Sequence, residues 1–393
     1  MNKKKRVIAV ISVICMLAAL LTACGKKQEP IVVQDLPIIH ETEFGGVYPE
    51  ITIEDFNARG FKYGDSVDVE FSNGFKFTDI PYYNGYYTKN GEPLICAYPG
   101  YPYIRIGINN GGDLWEKAEL DDGMTVTITL NTAEKYLQMQ ETMNLSYSDI
   151  REEYPSDEVF ANFREVTAGD ILPGTLYRSA SPCDNQHNRA PYVDELAEQA
   201  QIGFILDLAD NDEKIQKYFA KDDFRSYYMK SLYDTGKDFP AAVTAAYETA
   251  PFRASLAAAL TALAHSDGPY LVHCTEGKDR TGFVCVLLEA LCGATFEEIR
   301  TDYMITYDNY YELNREKDPT KYDFVVENLL SPMMVAIEEE RYDLPTMFKL
   351  FSGVADGSVP EEVDLAQHAA NYLTSAGMTE EDVKLLKEKL TGK

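Results

Sequence analysis

Between Gly268 and Gly293 the chain reads Gly-Pro-Tyr-Leu-Val-His-Cys-Thr-Glu-Gly-Lys-Asp-Arg-Thr-Gly, then a nearly apolar run from Phe283 to Leu291. No other stretch restricts the fold as strongly. Tyr270, Leu271 and Val272 predict a short buried strand. From Thr281 the apolar residues thicken into a helix that Gly293 closes as its C′ residue. Cys274 and Arg280 lie between the two, with five residues between them. That spacing makes a tight loop whose backbone N–H groups converge at a helix N-terminus, which is a binding point for a tetrahedral dianion.

The residue types then specify chemistry. Converging amides, Arg280 and the helix N-terminus all favour negative charge on Cys274, and cysteines so placed have pKa values of roughly 3.5–7.5. Arg280 offers a planar fork to two oxygens of the dianion. Thr275, Glu276, Gly277, Lys278 and Asp279 complete the cradle. Thr281 can donate its hydroxyl to the Cys274 sulfur, and His273 positions the loop through hydrogen bonds. The reaction class is phosphoryl transfer through a phosphocysteine intermediate that water then resolves, with no metal and no cofactor required. Sulfur transfer also uses a loop cysteine, but the Arg280-Thr281 ending argues against it. Arsenate reduction needs a second redox cysteine, whereas Cys285 and Cys292 read as packing on the following helix.

The decapeptide His273 to Gly282 resembles the signature loop of the protein tyrosine phosphatase superfamily. Its Gly-Lys-Asp-Arg-Thr-Gly portion is similar to the bacterial branch with tyrosine, serine/threonine and phosphoinositide phosphatase activity. Asn162-Phe163-Arg164-Glu165-Val166, Leu172 to Ala180, Phe204 to Leu208, Ala369 to Leu373 and Met378 to Val383 resemble other segments of that branch, so the likeness covers about 155–393. One departure is Ala209-Asp210-Asn211-Asp212, where the branch usually has an arginine. The resemblance implies hydrolysis of phosphotyrosine, with phosphoserine/threonine or phosphoinositides as further substrates. The alternatives are an inositol phosphate hydrolase and an inactive fold that only captures phosphorylated ligands. Lys278 would serve a second phosphate. The leaving oxygen needs a proton donor. The superfamily usually takes it from a mobile loop upstream, which points to Asp234, 40 residues before Cys274, or its neighbour Asp238. The nearer branch points to Asp279. Asp207, Asp210 and Asp212 remain candidates.

The rest of the chain sets the context. Its 393 residues suggest about two domains, and the net charge of −28 argues against nucleic acid as a partner. Residues 1–23 read as a bacterial lipoprotein signal, with basic Lys3 to Arg6, an apolar run from Val7 to Leu21, and Leu21-Thr22-Ala23 before a lipid-modified Cys24. The expected location is extracytoplasmic, anchored to the cell membrane through that lipid. The cysteines after Cys24, namely Cys96, Cys183, Cys274, Cys285 and Cys292, form no disulfide framework and no paired metal-binding spacing. Residues 24–45, with Pro30 and Pro37, read as a tether. Residues 46–140 read as a small β-rich barrel or sandwich, from the alternation at Val67, Val69 and Phe71, the turn Ser72-Asn73-Gly74, and further alternation at 103–108 and 126–130. Its tyrosines, Tyr82, Tyr83, Tyr86, Tyr87, Tyr98, Tyr101 and Tyr103, are either a binding face or half-buried strand and loop residues. Residues 131–155 read as a helix-prone connector. In 155–393, strands near 176–178, 204–208 and 224–232 and helices near 192–201 and 241–264 predict an α/β domain: a central, mostly parallel sheet flanked by helices, with the phosphate loop at a strand's C-terminal end.

Overall fold

In the first half, apolar alternation becomes a closed barrel. A computed structural model describes residues 30–393, apart from 43, 44, 90, 99, 110, 222–226, 244, 245, 355, 356, 358, 359 and 361. The signal segment and Cys24 therefore lie outside the described residues. The chain divides into two compact units, Met1–Asn144 and Leu145–Lys393. The barrel strands are β1 (Val32–Glu41), β2 (Gly46–Pro49), β3 (Ser66–Phe71), β4 (Lys76–Tyr83), β5 (Pro93–Cys96), β6 (Arg105–Ile108) and β7 (Thr125–Thr132), closed in the order β1-β2-β6-β5-β4-β3-β7. Val67, Val69 and Phe71 point inward to meet Ile80, Ile95, Ile106, Val126 and Ile128. At the β3–β4 turn Gly74 takes φ +90° and the Asn73 side chain accepts the Phe75 amide at 3.0 Å.

One reading of this half is corrected, and the choice between the two readings of its tyrosines falls to half-buried strand and loop residues. The stretch taken as a tether contains β1, which pairs with β7 on one side and β2 on the other and so closes the barrel. Pro37 does not break it, because the register shifts between Val33 and Leu36 around Asp35, at φ +53°. A bulge is where a strand tolerates proline. The tyrosines do not form one open face. Tyr82 and Tyr83 are buried, Tyr86 bonds Tyr101 (2.6 Å) and Arg105 (3.1 Å), and of the seven only Tyr98 is exposed.

The second unit is built on β8 (Arg164–Glu165), β9 (Leu176–Ser179), β10 (Phe204–Asp207), β11 (Asp238–Pro240) and β12 (Tyr270–His273), ordered β11-β10-β12-β9-β8. All neighbours are parallel except β8 with β9. Strand parity sends Phe204, Leu206, Tyr270 and Val272 to a large core, and Ile205 and Leu271 to a smaller one. Helix α1 (Ala190–Gln199) covers the smaller core beside α2 (Asp212–Phe219) and α3 (Tyr228–Asp234). The larger core takes α4 (Ala250–Ala264), α5 (Asp279–Leu291) and α6 (Phe296–Tyr311).

The described part of the strand expected at 224–232 is helical. Residues 222–226 lie outside the described set, and the remainder is α3. Its aromatic residues suggest β structure, but Met229 and Leu232, three apart and both buried, follow a helical face. The strand that joins the sheet is the three-residue β11 further on.

Candidate active site

Strand β12 delivers His273 at the C-terminal edge of the sheet, and α5 begins at Asp279. The loop between them is held from behind by its carbonyls. The Thr275 carbonyl accepts from the Ser181 amide at 3.1 Å. The Glu276 carbonyl accepts from Tyr310 Oη (2.6 Å) and Asn162 Nδ2 (3.2 Å). The Gly277 carbonyl accepts from Arg178 Nη2 (2.9 Å) and Asn162 Nδ2 (3.3 Å). In a trans peptide the C=O and the following N–H point in opposite directions. Turning these three carbonyls toward their partners therefore turns the amides of Glu276, Gly277 and Lys278 the other way, into the loop that buried Cys274 opens. Gly277 adopts φ +69°, and a Cβ there would stand 2.2 Å from the Ser179 carbonyl oxygen, so only glycine fits.

Arg280 is oriented before any anion arrives. Its Nη1 donates to the carbonyls of Leu208 (3.1 Å) and Val243 (3.4 Å), and its Nη2 to Thr275 Oγ1 (3.1 Å). Lys278 is enclosed, with Nζ 3.3 Å from Tyr311 Oη, 3.5 Å from Glu276 Oε2 and 3.9 Å from Asp279 Oδ2. Burial disfavours its charge, but Asp279 and Glu276 outweigh burial and hold its pKa well above the usual lysine range. Burial likewise pushes Glu276 up, and Lys278 with the Tyr147 hydroxyl brings it below its ordinary value.

An ion-pair network anchors the loop's supports. Arg178, wholly buried, reaches Asp302 Oδ2 at 2.6 Å, and Arg164 Nε reaches Asp302 Oδ1 at 3.0 Å. Burial raises the Asp302 pKa, but the two guanidiniums prevail and hold it at about 2. Above this lies an aromatic wall in which Tyr147 stacks on Tyr310 at 4.7 Å. The Arg189 guanidinium lies over both rings, at 4.7 and 5.0 Å.

Two expected hydrogen bonds are not formed. Both His273 ring nitrogens lack hydrogen-bond partners, the nearest acceptor being Asp207 Oδ2 at 3.7 Å. Burial lowers the ring's pKa to about 4, so the imidazole is neutral and is packed into place rather than bonded. The Thr281 hydroxyl is buried without a partner instead of donating to Cys274.

The structure also separates the candidate proton donors. Strand β11 runs parallel to β10 and β12, and Asp234 comes four residues before it. Asp234 therefore sits at the sheet edge opposite the loop, paired with Lys230 at 2.5 Å on the surface. Asp207 and Asp210 are sealed from solvent, Asp238 lies within β11, and Asp212 opens α2 with its carboxylate on Tyr233. Of these only Asp279 adjoins the loop, as the first residue of α5, and its side chain is half exposed. Asn162, Arg164, Arg178, Tyr147, Tyr310 and Asp302 received no site role from sequence. The signal available was the Asn162-Phe163-Arg164 and Tyr177-Arg178 segments, which carried the likeness without a function attached.

A model of a tyrosine phosphatase family matches residues 156–392. The chain belongs to that family. The match spans the sheet, the Cys274 loop and the C-terminal helices. No curated protein matches the chain. Among solved structures, an uncharacterised conserved protein from Thermotoga maritima is 19% identical with TM-score 0.21, over 27% of this chain and 40% of that one. The core catalytic domain of the PP-IP phosphatase SIW14 from S. cerevisiae, in complex with citrate, is 18% identical with TM-score 0.24, over 44% and 92%. Another structure of the Siw14 catalytic core is 20% identical with TM-score 0.25, over 42% and 90%.

Proposed function

We propose that this phosphatase hydrolyses phosphotyrosine and other aryl phosphomonoesters, from the outer face of a bacterial membrane to which Cys24 is lipid-linked. The observation that carries the reading is the loop itself: three inward amides and a pre-oriented Arg280 around Cys274. The Cys274 sulfur attacks phosphorus, the P–O bond to the leaving group breaks, and the departing oxygen takes the Asp279 proton. Water then attacks the phosphocysteine and gives a proton to the Asp279 carboxylate, the P–S bond breaks, phosphate leaves, and the Cys274 thiolate and the protonated Asp279 are regenerated. Donors aimed at the equatorial oxygens act most strongly where charge builds in the transition state.

Two features support an aryl substrate. Tyr147 and Tyr311, both only partly buried, stand 5.8 Å apart beside the loop and are the aromatic side chains a substrate ring would meet. Lys278, read from sequence as a partner for a second phosphate, is already engaged by Glu276 at 3.5 Å and the Tyr311 hydroxyl at 3.3 Å. The test is a panel of phosphotyrosine peptides, phosphoserine peptides, phosphoinositides and inositol phosphates. A kcat/KM highest on phosphotyrosine supports the reading. Preference for inositol phosphates would move the substrate class, and no turnover of any ester would leave a phospho-ligand-binding module. Fatty-acid labelling of Cys24 checks the anchor.

A further inference from the structure

Beside the catalytic loop, on the face of the smaller core, lies a group of side chains that the proposed reaction does not use. Strand parity puts Asp207 on the same face as Ile205, and Asp238 pairs in register with Ile205. Cys183 enters the same space from the segment after β9 and packs in that core. One donor atom each from Cys183, Asp207 and Asp238 lie within 4.8 Å of one another, and Asp207 also groups in this way with Asp210 and His273. All five residues are buried.

Their hydrogen bonding is incomplete. Asp207 Oδ1 accepts the amides of Ala209 (2.8 Å) and Asp210 (2.9 Å), but its Oδ2 has no hydrogen-bond partner. Neither oxygen of Asp238 and neither ring nitrogen of His273 has one. Lys214, the cation at this end, pairs with Asp210 (2.5 Å) and Asp184 (2.7 Å). Among the described residues no ion pair reaches Asp238. Buried carboxylates are retained when they are paired, protonated or ligated to a metal. Here acids, a thiol and an imidazole face one another with unused lone pairs.

We propose that Cys183, Asp207 and Asp238 bind a divalent metal ion of the zinc class. The donor set chooses the metal: sulfur and carboxylate oxygen with an imidazole close by suit zinc, whereas calcium and magnesium take oxygen alone. Ligands around one tetrahedral zinc stand roughly 3.3–3.7 Å apart, a spacing that the 4.8 Å limit on these three donor atoms encloses. The ion would tie the segment after β9 to the end of β10 and the start of β11, next to the strand that presents Cys274. Three ligands 24 and 31 residues apart in sequence leave no linear spacing to read.

The test is metal content by elemental analysis, with thermal unfolding, on the intact chain in Cys274→Ala and wild-type forms. Cys274→Ala removes the nucleophile as a competing zinc ligand. The expected result is about one zinc per chain in both forms, at least a tenfold loss in Asp238→Asn and in Cys183→Ala, and stabilisation of the stripped protein on adding zinc. Cobalt titration of the Cys274→Ala protein should give a thiolate-to-metal charge-transfer band, and this does not depend on a site variant folding. Zinc that disappears with Cys274, or no zinc and no cobalt band in Cys274→Ala, overturns the proposal. Either result leaves the phosphatase reading standing, because none of these readouts is turnover.

Discussion

The barrel and the catalytic unit use buried polarity in opposite ways. In the barrel the core is a lattice of aliphatic and aromatic side chains, and its buried Arg105 closes on Glu41 at 3.0 Å at the margin. In the catalytic unit Arg178, Arg189, Asp194, Asp207, Asp210, His273, Glu289 and Asp302 are all buried, many against the strand ends that hold the loop. Buried ion pairs stabilise poorly for their desolvation, but breaking one leaves a stranded charge that costs about 3–5 kcal/mol. The barrel's contacts are thus of a kind that repacks. Those around Cys274 define one arrangement: the Gly277 carbonyl is turned outward by Arg178, which cannot move without breaking its buried pair with Asp302.

The largest effect should come from Cys274→Ser, since an alcohol is a far poorer nucleophile at neutral pH. Turnover of an aryl phosphate should fall roughly 10⁴-fold or more while circular dichroism is unchanged. Activity near wild type would remove Cys274 from the mechanism.

Asp302→Asn tests the contrast in buried charge directly. It strands Arg164 and Arg178, so denaturant unfolding should show a loss of about 3–5 kcal/mol at neutral pH, with reduced turnover from a loosened Gly277 carbonyl. Its pH dependence has a definite sign. The folded pKa of about 2 lies below the ordinary 3.8, so the contribution is present above about pH 4 and lost as pH falls through 2. Wild type and variant should converge in acid. A constant gap down to pH 2 would show that Asp302 is not held as an anion by the two arginines.

The proton donor is tested by leaving-group dependence. Asp279→Asn should slow phenyl phosphate about 10²-fold and nitrophenyl phosphate only a few-fold, because a good leaving group needs less help. Asp234→Asn should stay within about twofold on both, as expected of a surface carboxylate. A selective loss in Asp234→Asn would put the mobile upstream donor back.

The smallest catalytic effect is expected from the barrel. Val67→Ala should cost roughly 2 kcal/mol in unfolding, through a cavity among Val69, Ile80 and Ile128, with kcat/KM on a small aryl phosphate unchanged at low temperature. A comparable drop in kcat would erase the contrast between the two units.

Much of this was legible because it is local. The strand, loop and helix around Cys274 follow from an apolar run, two glycines and a helical face, all within 26 residues. The β3–β4 hairpin follows from period-two alternation and an Asn-Gly turn. Dihedral preference and hydrophobic period act over a few residues, so they are written in order along the chain. What tertiary structure alone decided depends on residues that meet from far apart. Pairing at both edges makes 32–41 a strand despite Pro37. The parallel direction of β11 puts Asp234 at the edge of the sheet away from the loop. Asn162, Arg178 and Tyr310 reach the loop's carbonyls from 115, 99 and 34 residues away. Their roles are set by which orphaned oxygen each side chain finds after folding, and that assignment has no periodicity for a sequence to carry.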